Sequence, residues 1–429
     1  MEEQFQSARN ICHILLGDLK QNKTVSTADI QDVVQNPLLQ DQYPNISFDD
    51  LIAQLESDLE VYSKQATELL DKNVKPWVNN KKAGIDWELW KRYKFYMKTK
   101  DGSFPVDNLD DLTDKILDKC IDPTTGGNWD RRGMVVGNVQ SGKTANYTGL
   151  INKATDAGYK LIIVIAGIHN SLRSQTQERI DQGYIGRNSA DFILRQRNVK
   201  VGVGKFSVDT EIYSYTSSDS KGDFNRSIAS RINVPIGGKS PTVLVIKKNK
   251  SILENLILWL NQFANEDDEG NWKIYNVPVL VIDDEADNAS VNSGTELDVR
   301  TINRLIRTLL NLFNQNTFIG YTATPYANLY IPSQWSEELE TMVKGQKFKV
   351  GEDLFPRDFI VNIPPPSNYI GAAQVFGFYN DKTGEGQDGM DIIRLIDDQE
   401  PYSPKKINKE NKDSLPEEVP GSLEVAIKA

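Results

Sequence analysis

Apolar positions in the first part of the chain recur at helical intervals. Phe5, Ile11, Ile14 and Leu15 are spaced this way, as are Leu51, Ile52, Leu55 and Leu59. The second set follows Ser47-Phe48-Asp49-Asp50, a capping residue with an acidic third position. The spacing predicts helices from residue 1 to about 75. Trp87, Trp90, Tyr93 and Met97 continue it among Lys91, Arg92, Lys94 and Lys98. Such a stripe could stack on single-stranded nucleic acid, but aromatic residues at this spacing are more often a core face with solvated lysines opposite. A further helix is predicted over Leu109 to Cys120, between turn-rich stretches.

From Gly133 the pattern changes. Short apolar runs at Gly133–Val136, Lys160–Gly167, Thr242–Ile246, Val277–Ile282 and Phe318–Tyr321 alternate with helical stretches such as Ala145–Ala157 and Ile252–Phe263. Runs with no polar alternation are strands buried on both faces, and their alternation with helices predicts an α/β parallel sheet. Asn198 to Gly238, polar and glycine-containing, reads as an excursion from it. The predicted organisation is a helical N-terminal domain over 1–110, an α/β lobe over 111–335 and a partial accessory region over 336–429.

Composition narrows the classes. The 429 residues are 39% apolar and 25% charged, as in an ordinary globular protein. No apolar run is long enough to span a bilayer, and Met1-Glu2-Glu3-Gln4 is not a signal-peptide start, so membrane contact is not expected and the cytoplasm is the expected compartment. With a net charge of −11, nucleic acid would have to meet a local basic patch. Cys12 and Cys120 are too few and too far apart for a disulfide framework or zinc site. His13 and His169 cannot supply an HNH nuclease or a His-rich metal site, and His169 reads as structural.

Three segments carry candidate chemistry. Gly137, Asn138, Val139, Gln140, Ser141, Gly142, Lys143 and Thr144 fit the pattern GxxxxGK[ST] between a predicted strand and helix. In that setting backbone N–H groups approach the phosphates of ATP, Lys143 reaches the β- and γ-phosphates, and the Thr144 hydroxyl ligates Mg²⁺. The second segment, Asp283-Asp284-Glu285-Ala286-Asp287, ends an apolar strand. One carboxylate there would hold the metal and the next would polarise the attacking water. Asp284 is assigned the metal and Glu285 the water, while Asp283 competes for the metal because counting from the end of the apolar run favours it by one position. The third, Thr322-Ala323-Thr324-Pro325, places hydroxyls at a strand end, where Thr322 and Thr324 could bond the acidic cluster, Asp287 included, and couple hydrolysis to movement.

Weaker candidates surround these. Asn170, Arg173 and Gln177, after the second buried strand, and Lys247 and Lys248, at the end of another, are placed to meet a nucleic-acid backbone. Trp129 or a neighbouring arginine could meet the adenine or ribose. Arg300, Arg304 and Arg307 share a helix face and read as solvated or ion-paired.

In order, the phosphate loop, Asp284 to Asp287 and Thr322 to Pro325 resemble the first RecA-like lobe of a superfamily-two helicase or translocase. More narrowly, Val136 to Tyr147, Ala166 to Asn170, Leu172 to Gln177, Ile282 to Ala289 and Gly320 to Pro325 resemble the bacterial Z-one domain family over about Gly133 to Tyr330. Members of that family carry an endonuclease label and occur in restriction and antiphage gene clusters, often beside a MutL-like ATPase. The resemblance implies a RecA-like P-loop ATPase that uses ATP and Mg²⁺ and acts on DNA. Two other functions compete: an endonuclease, for which the clearest ExK string is Glu410-Asn411-Lys412, and a nucleotide-gated scaffold that docks a partner through its N-terminal helices. Only about a hundred residues follow Thr324, too few for a complete second lobe together with the further domains the family carries. The chain is therefore expected to be an N-terminal portion lacking that lobe's arginine finger, with slow hydrolysis.

Overall fold

The computed structural model describes residues 2–20, 27–44, 46–59, 67–100, 104–137, 142–232, 234–267, 272–289, 296–325 and 340–363, with residues 375, 377–379, 386–387 and 421–422 beyond them. Residues 1–367 form one compact unit and 368–429 a second.

Four helices come first: α1 (Glu2–Lys20), α2 (Thr27–Val34), α3 (Pro37–Gln42) and α4 (Phe48–Leu59). They enclose a core of their own that includes Ala8, Cys12, Leu16, Ile30, Val34, Leu51 and Leu55. The predicted helical stretch ends earlier than expected, because Thr67–Leu70 is a strand, β1. Its pairing partner lies almost three hundred residues downstream, so no local pattern could announce it.

Next come α5 (Val78–Lys81), α6 (Glu88–Lys100) and α7 (Val106–Leu117), then β2 (Trp129–Gly137), α8 (Lys143–Ala157), β3 (Leu161–Ala166) and α9 (Asn170–Ile180). A π-helical turn, Asp181–Ile185, extends α9. α10 (Ser189–Arg195) precedes the predicted excursion, β4 (Tyr213–Ser214) and α11 (Arg226–Ile232) lie within it, and β5 (Thr242–Ile246) and α12 (Lys250–Leu260) follow. A short hairpin, β6 (Asn265–Glu266) and β7 (Trp272–Lys273), precedes β8 (Val279–Asp284), α13 (Glu296–Asn311) and β9 (Gln315–Thr322). β10 (Glu340–Val343) and β11 (Gln346–Lys349) form another hairpin, and β12 (Phe359–Ile363) completes the first unit. In the second unit, β13 (Phe378–Tyr379) pairs antiparallel with β14 (Gly386–Gln387).

The fold is α/β. Eight strands form one sheet in the order β1-β12-β2-β9-β8-β3-β5-β4, parallel except for the β1–β12 pair. Alternating strand residues separate the two faces. Leu280, Ile282, Ile162 and Val164 pack with Tyr147, Leu150 and Ile151 of α8, whereas Val279, Val281, Leu161 and Ile163 pack with Leu256 of α12 and Leu309 of α13. Helices thus cover both faces, which is why the strands read as continuous apolar runs.

Trp87, Trp90, Tyr93 and Met97 are buried in the α8-side core, so the aromatic stripe is a core face, not a stacking surface. The expected boundaries at 110 and 335 do not mark breaks in packing: Trp90 and Tyr93 share a core with α8, and β12 pairs with β2. β4 belongs to the main sheet, so the 198–238 stretch is not wholly an excursion. Among the described residues no helix is long and apolar enough to cross a membrane.

Candidate functional site

Four adjacent strands end level with one another. Val136 of β2 pairs with Thr322 of β9, Tyr321 of β9 with Asp284 of β8, and Asp284 with Ala166 of β3. With strands about 4.8 Å apart, their ends lie side by side. α8 starts at this edge behind Gly142, whose φ of 73° is left-handed and suits a residue without a Cβ. A cavity of about 430 Å³ opens there. Lys143 and Thr144 line it with Asp284, Glu285, Asp287 and Thr322, and Leu172, Gln175, Thr176 and Arg179 of α9 form another wall. Asn138, Val139, Gln140 and Ser141 lie outside the described residues.

The pleat separates the two candidate metal carboxylates. Asp284 has the same parity as Leu280 and Ile282, so it faces α8 and lines the cavity, where it accepts a hydrogen bond from the Tyr147 hydroxyl at 3.2 Å. Asp283 has the parity of Val279 and Val281, on the opposite face, where the Lys248 ammonium meets it at 2.7 Å. Burial lifts the Asp283 carboxyl to about 6, against the pull of Lys248. Burial also lifts Asp284, and Glu285 beside it adds to the shift. A cation brought to the cavity would reverse the direction at Asp284.

Lys143 donates to the Gly137 carbonyl at 2.8 Å, and its ammonium is shifted down by burial, opposed by Asp284, Asp287 and Glu285. The Thr144 hydroxyl accepts from Arg179 at 3.0 Å. Glu285 sits at φ 61°, a left-handed conformation that a side-chain-bearing residue adopts at a cost of about 1 kcal/mol or more. Lys248 holds it there from behind, its ammonium donating to the Glu285 carbonyl at 2.6 Å and its backbone N–H to the Gly167 carbonyl at 2.8 Å. At Gly167, φ 45°, an added Cβ would lie 3.3 Å from a Glu285 carboxylate oxygen, so glycine keeps room for that carboxylate.

β9 lies between the strand that leads into the glycine-rich string and the strand that carries the carboxylates. Beyond its end the Thr324 hydroxyl donates to the Asp287 carboxylate, and Thr322 accepts from the Thr324 N–H at 2.9 Å. Through Thr324 the hydroxyl segment is thus bonded to Asp287 of the acidic cluster.

Other candidates do not reach the cavity. Arg173 and Gln177 are fully buried. Arg173 donates to the Ser217 and Asp219 carbonyls, and Gln177 bonds Asp181 and Thr216. They tie α9 to the 214–219 segment and offer nothing to a polyanion. Lys248 is equally occupied by Asp283 and Glu285. Lys247 and the exposed Asn170 remain at this edge, joined by a 2.8 Å hydrogen bond. Trp129 begins β2, about 26 Å along the strand from Gly137, and packs edge-on against Tyr159, so it cannot meet a base at the cavity. Arg307 is buried, donating to the Gly351 and Glu352 carbonyls, and is not solvated. The Arg300 side chain and Glu410–Lys412 lie outside the described residues.

Tyr147 and Arg179 escaped the sequence reading. The stripe chosen on α9, Asn170, Arg173 and Gln177, includes its buried side; Leu172, Gln175 and Arg179, at i, i+3 and i+7, face the cavity. Comparison with models of known protein families and with curated proteins gives no match.

Proposed function

We propose that this chain carries a RecA-like P-loop lobe that binds Mg²⁺-ATP and belongs to a DNA-directed bacterial defence protein of the kind the Z-one motifs suggest. The observation that carries the proposal is the convergence of Lys143 and Thr144, Asp284 and Glu285, and Thr322 on one cavity at the C-terminal edge of a parallel sheet. Ligands of open α/β sheets bind at that edge. The donor set suits a metal held jointly with phosphate: among the described residues no group of three or more His, Cys, Asp and Glu side chains could hold a metal alone, while a hydroxyl and a carboxylate share the cavity with an ammonium.

Bound Mg²⁺-ATP would supply an electrophilic terminal phosphoryl group. Lys143 offers charge to phosphate oxygens, and Thr144 and Asp284 are the candidate oxygen ligands. Glu285 presents a carboxylate that can take a proton from water, on a backbone braced by Lys248. The Thr324–Asp287 bond links the hydroxyl segment to this cluster, a route by which hydrolysis could be coupled to movement along nucleic acid. Asn170 and Lys247 are the remaining candidates for that contact.

Thermal unfolding with and without nucleotide tests the proposal. A non-hydrolysable ATP analogue with Mg²⁺, at a hundred times its Kd, should stabilise the protein by about 2.7 kcal/mol. Lys143→Ala should fold normally and lose most of that gain. An unchanged melting temperature in the wild type, or an undiminished gain in Lys143→Ala, would sink it.

A further inference from the structure

Arg179 has no place in the motifs, yet it is fixed at the mouth of the candidate phosphate site. Its guanidinium donates to the Thr144 hydroxyl at 3.0 Å, and among the described residues it and Lys143 are the cations lining the cavity. The backbone that carries it is held from two sides. Arg173 and Gln177 anchor α9 to the 214–219 segment. The π-helical turn that continues α9 is locked onto α8: Asn152 donates to the Gly183 carbonyl at 3.1 Å, and Thr155 and Tyr184 share a hydrogen bond at 2.7 Å. A Cβ at Gly183 would fall 2.7 Å from the Thr148 methyl, so the two segments meet as closely as glycine permits. Here the turn sets the end of α9 against the helix whose first residues are Lys143 and Thr144.

Arg179 is exposed, but the backbone that carries it is braced and its guanidinium is hydrogen-bonded to Thr144, a candidate metal ligand. A guanidinium has five donors and stays charged, so its bond to Thr144 leaves capacity for phosphate oxygens.

We propose, on the basis of the nucleotide reading above, that Arg179 contacts the terminal phosphate of a bound nucleoside triphosphate, so that this lobe carries in its own chain a cation that distinguishes triphosphate from diphosphate. Asp284, Glu285 and Asp287 face it across the same cavity, and a third phosphate, with its added negative charge, gives Arg179 a partner that a diphosphate lacks.

Equilibrium binding of the full chain to a non-hydrolysable ATP analogue and to ADP, each with Mg²⁺, tests this in the wild type, Arg179→Ala and Arg179→Lys. Arg179→Ala should weaken the triphosphate analogue about tenfold or more and leave ADP within about twofold, because one charge-assisted contact is lost from one ligand only. Arg179→Lys should fall between, keeping charge without the planar fork. Equal weakening of both ligands would mean that Arg179 only braces Thr144 and would overturn the proposal, as would wild-type affinities in Arg179→Ala. If the wild type binds neither nucleotide, the nucleotide reading fails and this inference fails with it.

Discussion

Two lysines ten residues apart on α8 show how one helix can be built for packing at one end and for chemistry at the other. Lys153 is 1% exposed and closed in: its ammonium bonds the Asp110 and Asp114 carboxylates and lies 4.3 Å over the Trp90 ring. Lys143 stands at the helix start with its carboxylates, Asp284, Glu285 and Asp287, arrayed around a cavity. The acids report the difference. Burial would lift Asp110, but Lys153 and Lys94 outweigh it and hold its carboxyl below its ordinary value. Burial lifts Asp284 by more than Lys248 and Lys143 lower it. Contact between opposite charges marks a finished structural pair. Opposite charges gathered around a cavity, with an acid lifted by burial, mark a candidate site.

The sharpest way to break this contrast is Lys153→Ala. Leaving Asp110 and Asp114 without their buried cation should cost about 3 kcal/mol in urea denaturation, the low end of the range because both acids are partly exposed. A loss under about 1 kcal/mol would show that the closed end is not structural.

A smaller effect tests whether a lifted acid always signals a site. Asp156, also on α8, accepts hydrogen bonds from the Leu89 and Trp90 N–H groups, yet burial raises it to about 7. Its folded pKa lies above its ordinary value, so its contribution to stability is fully present in acid and lost as pH rises towards 7. The slope is up to about 1.4 kcal/mol per pH unit. Asp181 and Asp283, each lifted to about 6, add slope of the same sign at lower pH, so Asp156 dominates the slope only at about pH 7 and just above. Asp156→Asn should flatten stability there, and an unaltered slope would remove Asp156 as its source.

The smallest effect belongs to the open end. Asp284→Asn removes a carboxylate that burial disfavours, so denaturation should show a change within about 1 kcal/mol, in the stabilising direction. Marked destabilisation would place Asp284 among the structural acids.

The sheet was largely legible because β3, β5 and β8 are covered on both faces and so read as apolar runs, whereas only the Phe318–Tyr321 part of β9 did, its start being polar. The glycine-rich string and the acidic strand end were legible because their chemistry is local in sequence. β1 and β12 were not, since an edge pairing between residues 67–70 and 359–363 leaves no periodic trace. The roles of Arg173, Gln177 and Lys248 were hidden for a related reason: a polar side chain is buried only if distant backbone or carboxylate groups receive it, and the 214–219 segment and Asp283 do so. Asp283 and Asp284 could have been separated by strand parity, which gives adjacent residues opposite faces.

Glu285 bears on how such a protein would respond to selection. At φ 61° glycine would be more comfortable than glutamate. A laboratory search for heat-resistant variants would therefore be drawn to Glu285→Gly, gaining ruggedness while deleting a carboxylate that lines the cavity. Where performance rather than endurance is selected, the strained residue is the one to keep.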